Sequence, residues 1–248
     1  MGRKKYSLSV EDYRRSREDY AEQWQTLDDC LYRLCRENPT HGSRLSVNAK
    51  TYIIGRTYQT GIERKIRSKG TQGSSMSQVA DFFYERHQEL DQLFLRLDKI
   101  SEPLAATNVT EILEIHGQIV KLLGELTIDG QSPRSFVAKY MHFHNPVVPI
   151  YDGNAAKVVW GLVPERLIEA DHVSVPDVAD SYYADYVRRL LSLYRSIAAQ
   201  DVSVTVRSLD YYLIWEHDNR LAGATTLGKT ADSTGLTPQN QELEANGK

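Results

Sequence analysis

The sequence is short of the residues that staple a chain or carry it through a membrane. Only two cysteines, Cys30 and Cys35, occur in 248 residues. Two thiols are too few for a disulfide framework or for an iron–sulfur cluster, and a reducing cytosol is the expected compartment. Long apolar runs are missing too. The longest, residues 147–151 and 158–163, fall far short of the ~20 residues that cross a bilayer, so no membrane association is expected. The opening MGRKKYSLSVEDY is basic but has no apolar core, which argues against a secretory signal. An overall excess of positive charge is also lacking. The net charge is −3, which speaks weakly against a nucleic-acid binder.

What is present points to an ordinary folded chain. Hydrophobic residues make up 41% and charged residues 25%, which excludes wholesale disorder, collagen and coiled-coil arrays. The charge is unevenly spread. Residues 1–70 carry 15 Lys and Arg against 9 Asp and Glu, residues 71–160 carry 7 against 11, and residues 161–248 carry 8 against 13. The basic excess is therefore confined to the first third.

Apolar residues recur with helical spacing almost throughout. Ser9 followed by Asp12 predicts a capped helix over 10–37, with Tyr13, Tyr20, Trp24, Leu27, Leu31 and Leu34 on its inner stripe. Further helices are expected within 46–67, over 79–100, from Asn108 to about 125, after Pro133, from Asp152 to about 161, over 176–199 and over 204–218, with a short one opened by Pro164. Residues 222–248 show no periodicity and are expected to be a mobile tail. The expected architecture is all-α, roughly nine helices around one cleft. It forms a single domain over 1–221, with room for two subdomains about the cleft.

The most informative stretch is GQSPRSFVAKYMHFHNPVVPIYDGNAAKVV, residues 130–159. Its pattern is turn, helix, proline-containing loop, then a helix opened by Asp152. Asp is a favoured N-cap, worth about 1 kcal/mol, and capping alone accounts for an aspartate there. The run PIYDGNAAKVV also resembles the catalytic segment of the helix-hairpin-helix DNA glycosylases. It is closest to their adenine-excising mismatch branch, where Ile-x-Asp-Gly-Asn starts a helix. The resemblance covers about 30 residues, with Gly130 at the distance of the family's hairpin glycine.

The resemblance implies a helix-hairpin-helix fold and a chain that holds DNA at the hairpin and flips a nucleotide into a pocket. Asp152 would be the catalytic carboxylate, stabilising the positive charge that develops on the sugar as its bond to the base breaks. Hairpin contacts to DNA would come from Gly130, Ser132 and Arg134. Ser132 stands where the family has a second glycine, and Pro133 removes an N–H that could bind phosphate. Members that also cut the backbone carry a lysine eighteen residues before the aspartate, and Arg134 occupies that position here. Arginine stays protonated and does not form a Schiff base readily, so a monofunctional enzyme is expected. A modified or mispaired base is the expected target. By analogy alone, defence against modified phage DNA would suit such a chain.

Around Asp152, the candidate pocket residues are Tyr151, Lys139, His142 and His144. The two histidines stand at i, i+2 and point to different sides of a helix, so neither metal nor cofactor is expected. A second DNA-binding candidate is the basic run with Arg56, Tyr58, Arg64, Lys65, Arg67 and Lys69, which interleaves cations with an aromatic ring. Asn48, Lys50 and Tyr52 extend a polar face upstream. Arg207 and Asp210, at i, i+3, are expected to pair on a structural helix. Two other readings compete: a non-catalytic nucleic-acid-binding module on the same scaffold, and an α-helical protein-interaction domain.

Overall fold

The computed structural model describes residues 7–66, 75–168 and 173–232, with 221–232 as backbone alone. Arg67 and Lys69 lie outside the described residues. The architecture is all-α. Ten α-helices and three short 3-10 turns are present among the described residues, and the one extended pairing there is an isolated bridge between Ile66 and Thr127.

Two expected helices are each divided. The first becomes α1 (Val10–Gln23) and α2 (Gln25–Glu37), broken at Trp24, where φ is −123° and ψ −25°. The Ser9 side chain caps α1, accepting from the Asp12 N–H at 3.1 Å. The break lets α1 lie on the last helix while α2 lies on α7, which one straight rod would not do. After α3 (Arg44–Thr57), the next expected helix becomes α4 (Ser75–Glu85) and α5 (His87–Leu97), divided at Arg86. There α4 packs on α3 and α5 on α6 (Ala106–Leu123). α6 begins two residues ahead of Asn108, the expected start. Asn108 lies in the first turn and accepts from the Ala105 N–H at 2.9 Å.

The remaining helices are α7 (Arg134–His144), α8 (Gly153–Leu162), α9 (Ser181–Ala198) and α10 (Val206–Asp232). The last runs past the expected helix end near 218, through residue 232. Between Val206 and Pro238 the sequence has no proline to interrupt the helix. Residues 233–248 lie outside the described residues.

The apolar side chains form one cluster that runs from Tyr13 to Leu213. α7 is its axis. Phe136 through Phe143 are all buried, and α2, α3 and α6 cover the helix. A helix buried on every side must satisfy any polar side chain it carries from neighbouring elements. Lys139 and His142 are such side chains. His142 reaches the loop beyond α7, and Lys139 reaches Asp152 at the end of that loop.

Candidate functional site

Asp152 is delivered by a pinned loop. Beyond α7, the Asn145 side-chain amide donates to the Leu97 and Ile100 carbonyls, both at 2.8 Å, and its Oδ1 accepts from the Val147 N–H at 3.1 Å. The Tyr183 hydroxyl donates to the Pro149 carbonyl at 2.7 Å. His142 Nδ1 lies 2.8 Å from the Val148 carbonyl, an acceptor, so that nitrogen carries the proton. Its Nε2 then accepts from the Tyr32 hydroxyl at 2.5 Å. Burial lowers the His142 pKa to about 4, keeping the ring neutral. The expectation that His142 lines a pocket is therefore corrected. It is fully buried and holds the loop in place.

Asp152 has extended backbone (φ −128°, ψ 139°), and its Oδ1 accepts from the Asn154 N–H at 2.8 Å, capping α8. Its Oδ2 lies 3.3 Å from Lys139 Nζ. Lys139 is 5% exposed and also donates to the Tyr58 carbonyl at 2.8 Å, whereas the Asp152 side chain keeps 29% of its surface open. Burial pushes the Asp152 pKa up. The Lys139 ammonium and the Asn154 N–H outweigh this and hold it below the ordinary carboxylate value. The result is an ionised, oriented and partly open carboxylate at a helix N-terminus. Tyr151 beside it packs edge-on against Tyr183 and Tyr186 and lies under the Arg134 guanidinium.

Inward of this pair is a charge cluster that local spacing revealed only in part. Arg207 donates to Asp210 Oδ2 at 2.5 Å, the expected i, i+3 pair. It also donates to Asp28 Oδ2 at 2.5 Å, a partner 179 residues away. Asp28 is fully buried and further accepts from the hydroxyls of Tyr20 and Tyr58. Asp210 Oδ1 has no hydrogen-bond partner among the described residues. Burial raises the Asp210 pKa to about 6, opposed by Arg207 and assisted by the negative charges of Asp152 and Asp28.

The hairpin ahead of α7 turns through Asp129 (φ 50°) and Gly130 (φ 68°), left-handed conformations that suit glycine. Gly130 is exposed, with open space where a Cβ would sit. The other hairpin candidates are already engaged. Ser132 Oγ donates to Asp180 Oδ2 at 2.7 Å and Arg134 Nε to Asp180 Oδ1 at 2.8 Å. Lys65 Nζ donates to the Ser132 carbonyl at 2.8 Å. Arg56 pairs with Glu63 at 2.9 Å and remains largely exposed, as does Arg64. Tyr58 is corrected from a base-stacking side chain to a wall of the core. Its hydroxyl is held by Asp28 and its ring lies against Trp24 and Phe143.

A groove of about 1360 Å³ opens between α2 and α5, with α7 and the start of α10 in its wall. His144 lines it, but Asp152 does not. This corrects the expectation of one cleft with the aspartate in it. The Asp28–Arg207–Asp210 cluster places Arg207 on the groove and Asp210 in the interior. Among the described residues, no three of His, Cys, Asp and Glu are placed to hold a metal ion, and no helix is long and apolar enough to cross a membrane. No protein-family model, curated protein or solved structure matches this chain.

Proposed function

We propose that this protein is a monofunctional DNA glycosylase that hydrolyses the N-glycosidic bond of a flipped, modified or mispaired nucleotide, with Asp152 as the catalytic carboxylate. The observation that carries the reading is the state of Asp152. It is ionised, capped onto α8, set by Lys139 and partly open to solvent. In the reaction, the bond from the sugar carbon to the base breaks with its electron pair leaving on the base, which takes up a proton. Positive charge develops on the sugar, and a fixed carboxylate nearby stabilises it. Water then adds to that carbon and releases its proton to the carboxylate or to solvent. Arg134, at the position of the backbone-cutting lysine, is bound to Asp180, and Lys139 already serves Asp152 and the Tyr58 carbonyl. Neither offers a free amine, in keeping with a monofunctional enzyme. The exposed turn at Gly130, with Lys65 and Arg64 beside it, is the surface proposed to meet the DNA backbone.

Asp152→Asn is the direct test, because asparagine is also a good N-cap and preserves the start of α8. Incubation with DNAs containing normal, damaged and hypermodified bases, scored for alkali-labile sites, should show base release lowered by about 100-fold or more while DNA binding persists. Release by the variant at the wild-type rate refutes the assignment. A second reading, a non-catalytic nucleic-acid-binding module, is favoured by the separation of Asp152 from the large groove. It predicts salt-dependent DNA binding and no abasic sites on any substrate. Failure to bind nucleic acid at low salt selects a protein-interaction domain.

A further inference from the structure

The groove between α2 and α5 is built in a way that the Asp152 reading does not use. Two of its lining side chains are held from behind by fully buried polar groups. His41 has no exposed surface, and both its ring Nδ1 and its backbone N–H donate to Asp91 Oδ1, at 2.7 and 2.9 Å. Asp91 lines the groove with 22% of its side chain open, and its Oδ2 has no partner among the described residues. Lys50 is likewise fully buried. It donates to the Asn38 and Thr40 carbonyls at 2.8 and 3.3 Å, and lies 3.4 Å from His144 Nε2. The ammonium can only donate, so His144 Nε2 accepts and Nδ1 carries the proton of the neutral ring. The imidazoles of His41 and His144 are stacked, with centroids 5.6 Å apart.

Burying a lysine and a histidine costs desolvation free energy that an apolar core would avoid. Burial lowers the Lys50 pKa to about 8. The Lys50 contacts to Asn38 and Thr40 secure the chain after α2. Neither those contacts nor core packing account for the other half of the arrangement, in which one buried group orients the groove-lining Asp91 carboxylate and the other the groove-lining His144 imidazole. Such support from behind is characteristic of a preorganised binding site.

The rest of the lining narrows the ligand. Arg33 and Arg36 stand three residues apart on α2, exposed on the groove, with no acidic partner among the described residues. Two guanidiniums at that spacing form a clamp for a phosphate or carboxylate. The half-buried Tyr32 and the largely buried Phe94 line it with aromatic rings, and Leu95 at the rim is 58% exposed. Asp29, Asp98 and Glu102 also line the groove. A wall of mixed sign disfavours a long duplex polyanion. It suits a ligand with one anionic end, a flat body and a hydrogen-bond donor and acceptor at the other end.

We propose that this groove binds a nucleotide unit, with its phosphate at Arg33 and Arg36, its base against Phe94 and Tyr32, and the polar edge of the base donating to Asp91 and accepting from His144. The site is separate from Asp152, and the proposal does not depend on base excision. The unit comes either from a free mononucleotide or from single-stranded nucleic acid. Fluorescence anisotropy of the full chain with labelled adenosine and guanosine monophosphates, and with a labelled single-stranded octanucleotide, distinguishes the two sources.

At least one probe should bind, and Arg33→Ala/Arg36→Ala should weaken it about tenfold or more. Asp91→Asn should weaken it less and change the preference between adenosine and guanosine. Lys121→Ala, which removes an exposed charge on α6, should leave binding unchanged. Binding of the monophosphates alone identifies a free nucleotide, and binding of the octanucleotide alone identifies a strand. No binding of any probe at millimolar concentration overturns the proposal, as does wild-type affinity in the double arginine variant. The two arginines are exposed, so that variant is expected to fold, and a circular-dichroism melt verifies it. Asp152→Asn should retain nucleotide binding, which separates failure here from failure of the glycosylase reading.

Discussion

Replacing Arg207 by methionine tests how the interior is held together. Arg207 is the one cation shared by two buried carboxylates, at 2.5 Å from each. Without it, Asp28 keeps the hydroxyls of Tyr20 and Tyr58, whereas Asp210 keeps no hydrogen-bond partner among the described residues, where its Oδ1 is already unpaired. Breaking a buried ion pair from one side costs about 3–5 kcal/mol, because a charge is left without compensation. The guanidinium also lies over the rings of Tyr20 and Tyr58, at 5.2 and 5.8 Å, and each such contact is worth about 0.5–1 kcal/mol. The methionine stem recovers part of the packing. A net loss of about 4 kcal/mol is expected, which at ~2–4 °C per kcal/mol lowers the melting temperature by roughly 8–16 °C.

Urea unfolding followed by circular dichroism at pH 7.5 and pH 5 measures the loss and its origin. Asp210 binds its proton more tightly in the folded protein than in the unfolded chain, with a folded pKa of about 6. Its contribution to stability is therefore full below the unfolded carboxylate value, near 4, and is lost as pH rises through 6. Removing Arg207 removes the group that opposes this upward shift. The deficit of the variant should accordingly shrink at pH 5, and adding Asp210→Asn should recover part of it at pH 7.5. A deficit below about 1 kcal/mol at pH 7.5, or the same deficit at both pH values, would refute the charge argument.

Three further outcomes are expected. Gly117→Ala places a Cβ 2.3 Å from the Val178 carbonyl oxygen, which is backbone, and should cost about 1–3 kcal/mol in a thermal melt. Gly55→Ala meets the flexible end of Met76 and should cost less, so equal losses would contradict the distinction. Asp180→Ala removes the N-cap of α9 together with the anchors of Ser132 and Arg134, and should lower stability by about 2 kcal/mol. It should also speed hydrogen exchange around residues 129–132, and unchanged exchange there would show that the hairpin is held by other contacts. Lys139→Met takes away the cation that holds the Asp152 pKa down, so in a base-release assay the acid limb of the pH profile should move to higher pH. A limb that stays in place would mean that Lys139 does not tune the carboxylate.

The amino-acid sequence by itself determined what depends on neighbours three or four residues apart. The helical character of nearly every segment, the Ser9 cap, the Asp152 cap and the Arg207–Asp210 pair all follow from the geometry of a single helix turn. Tertiary structure decided everything that depends on which helix faces meet. The breaks at Trp24 and Arg86 arise because the flanking halves pack on different partners. Ser132 and Arg134 look available for DNA in the sequence and are bound to Asp180, 46 and more residues away. Tyr58 reaches Asp28, Lys139 reaches Asp152, and His41 reaches Asp91 across separations that no local periodicity encodes. A buried charge has to find its counter-charge wherever the packed helices bring one within hydrogen-bond reach, and that distance is set by the assembled core.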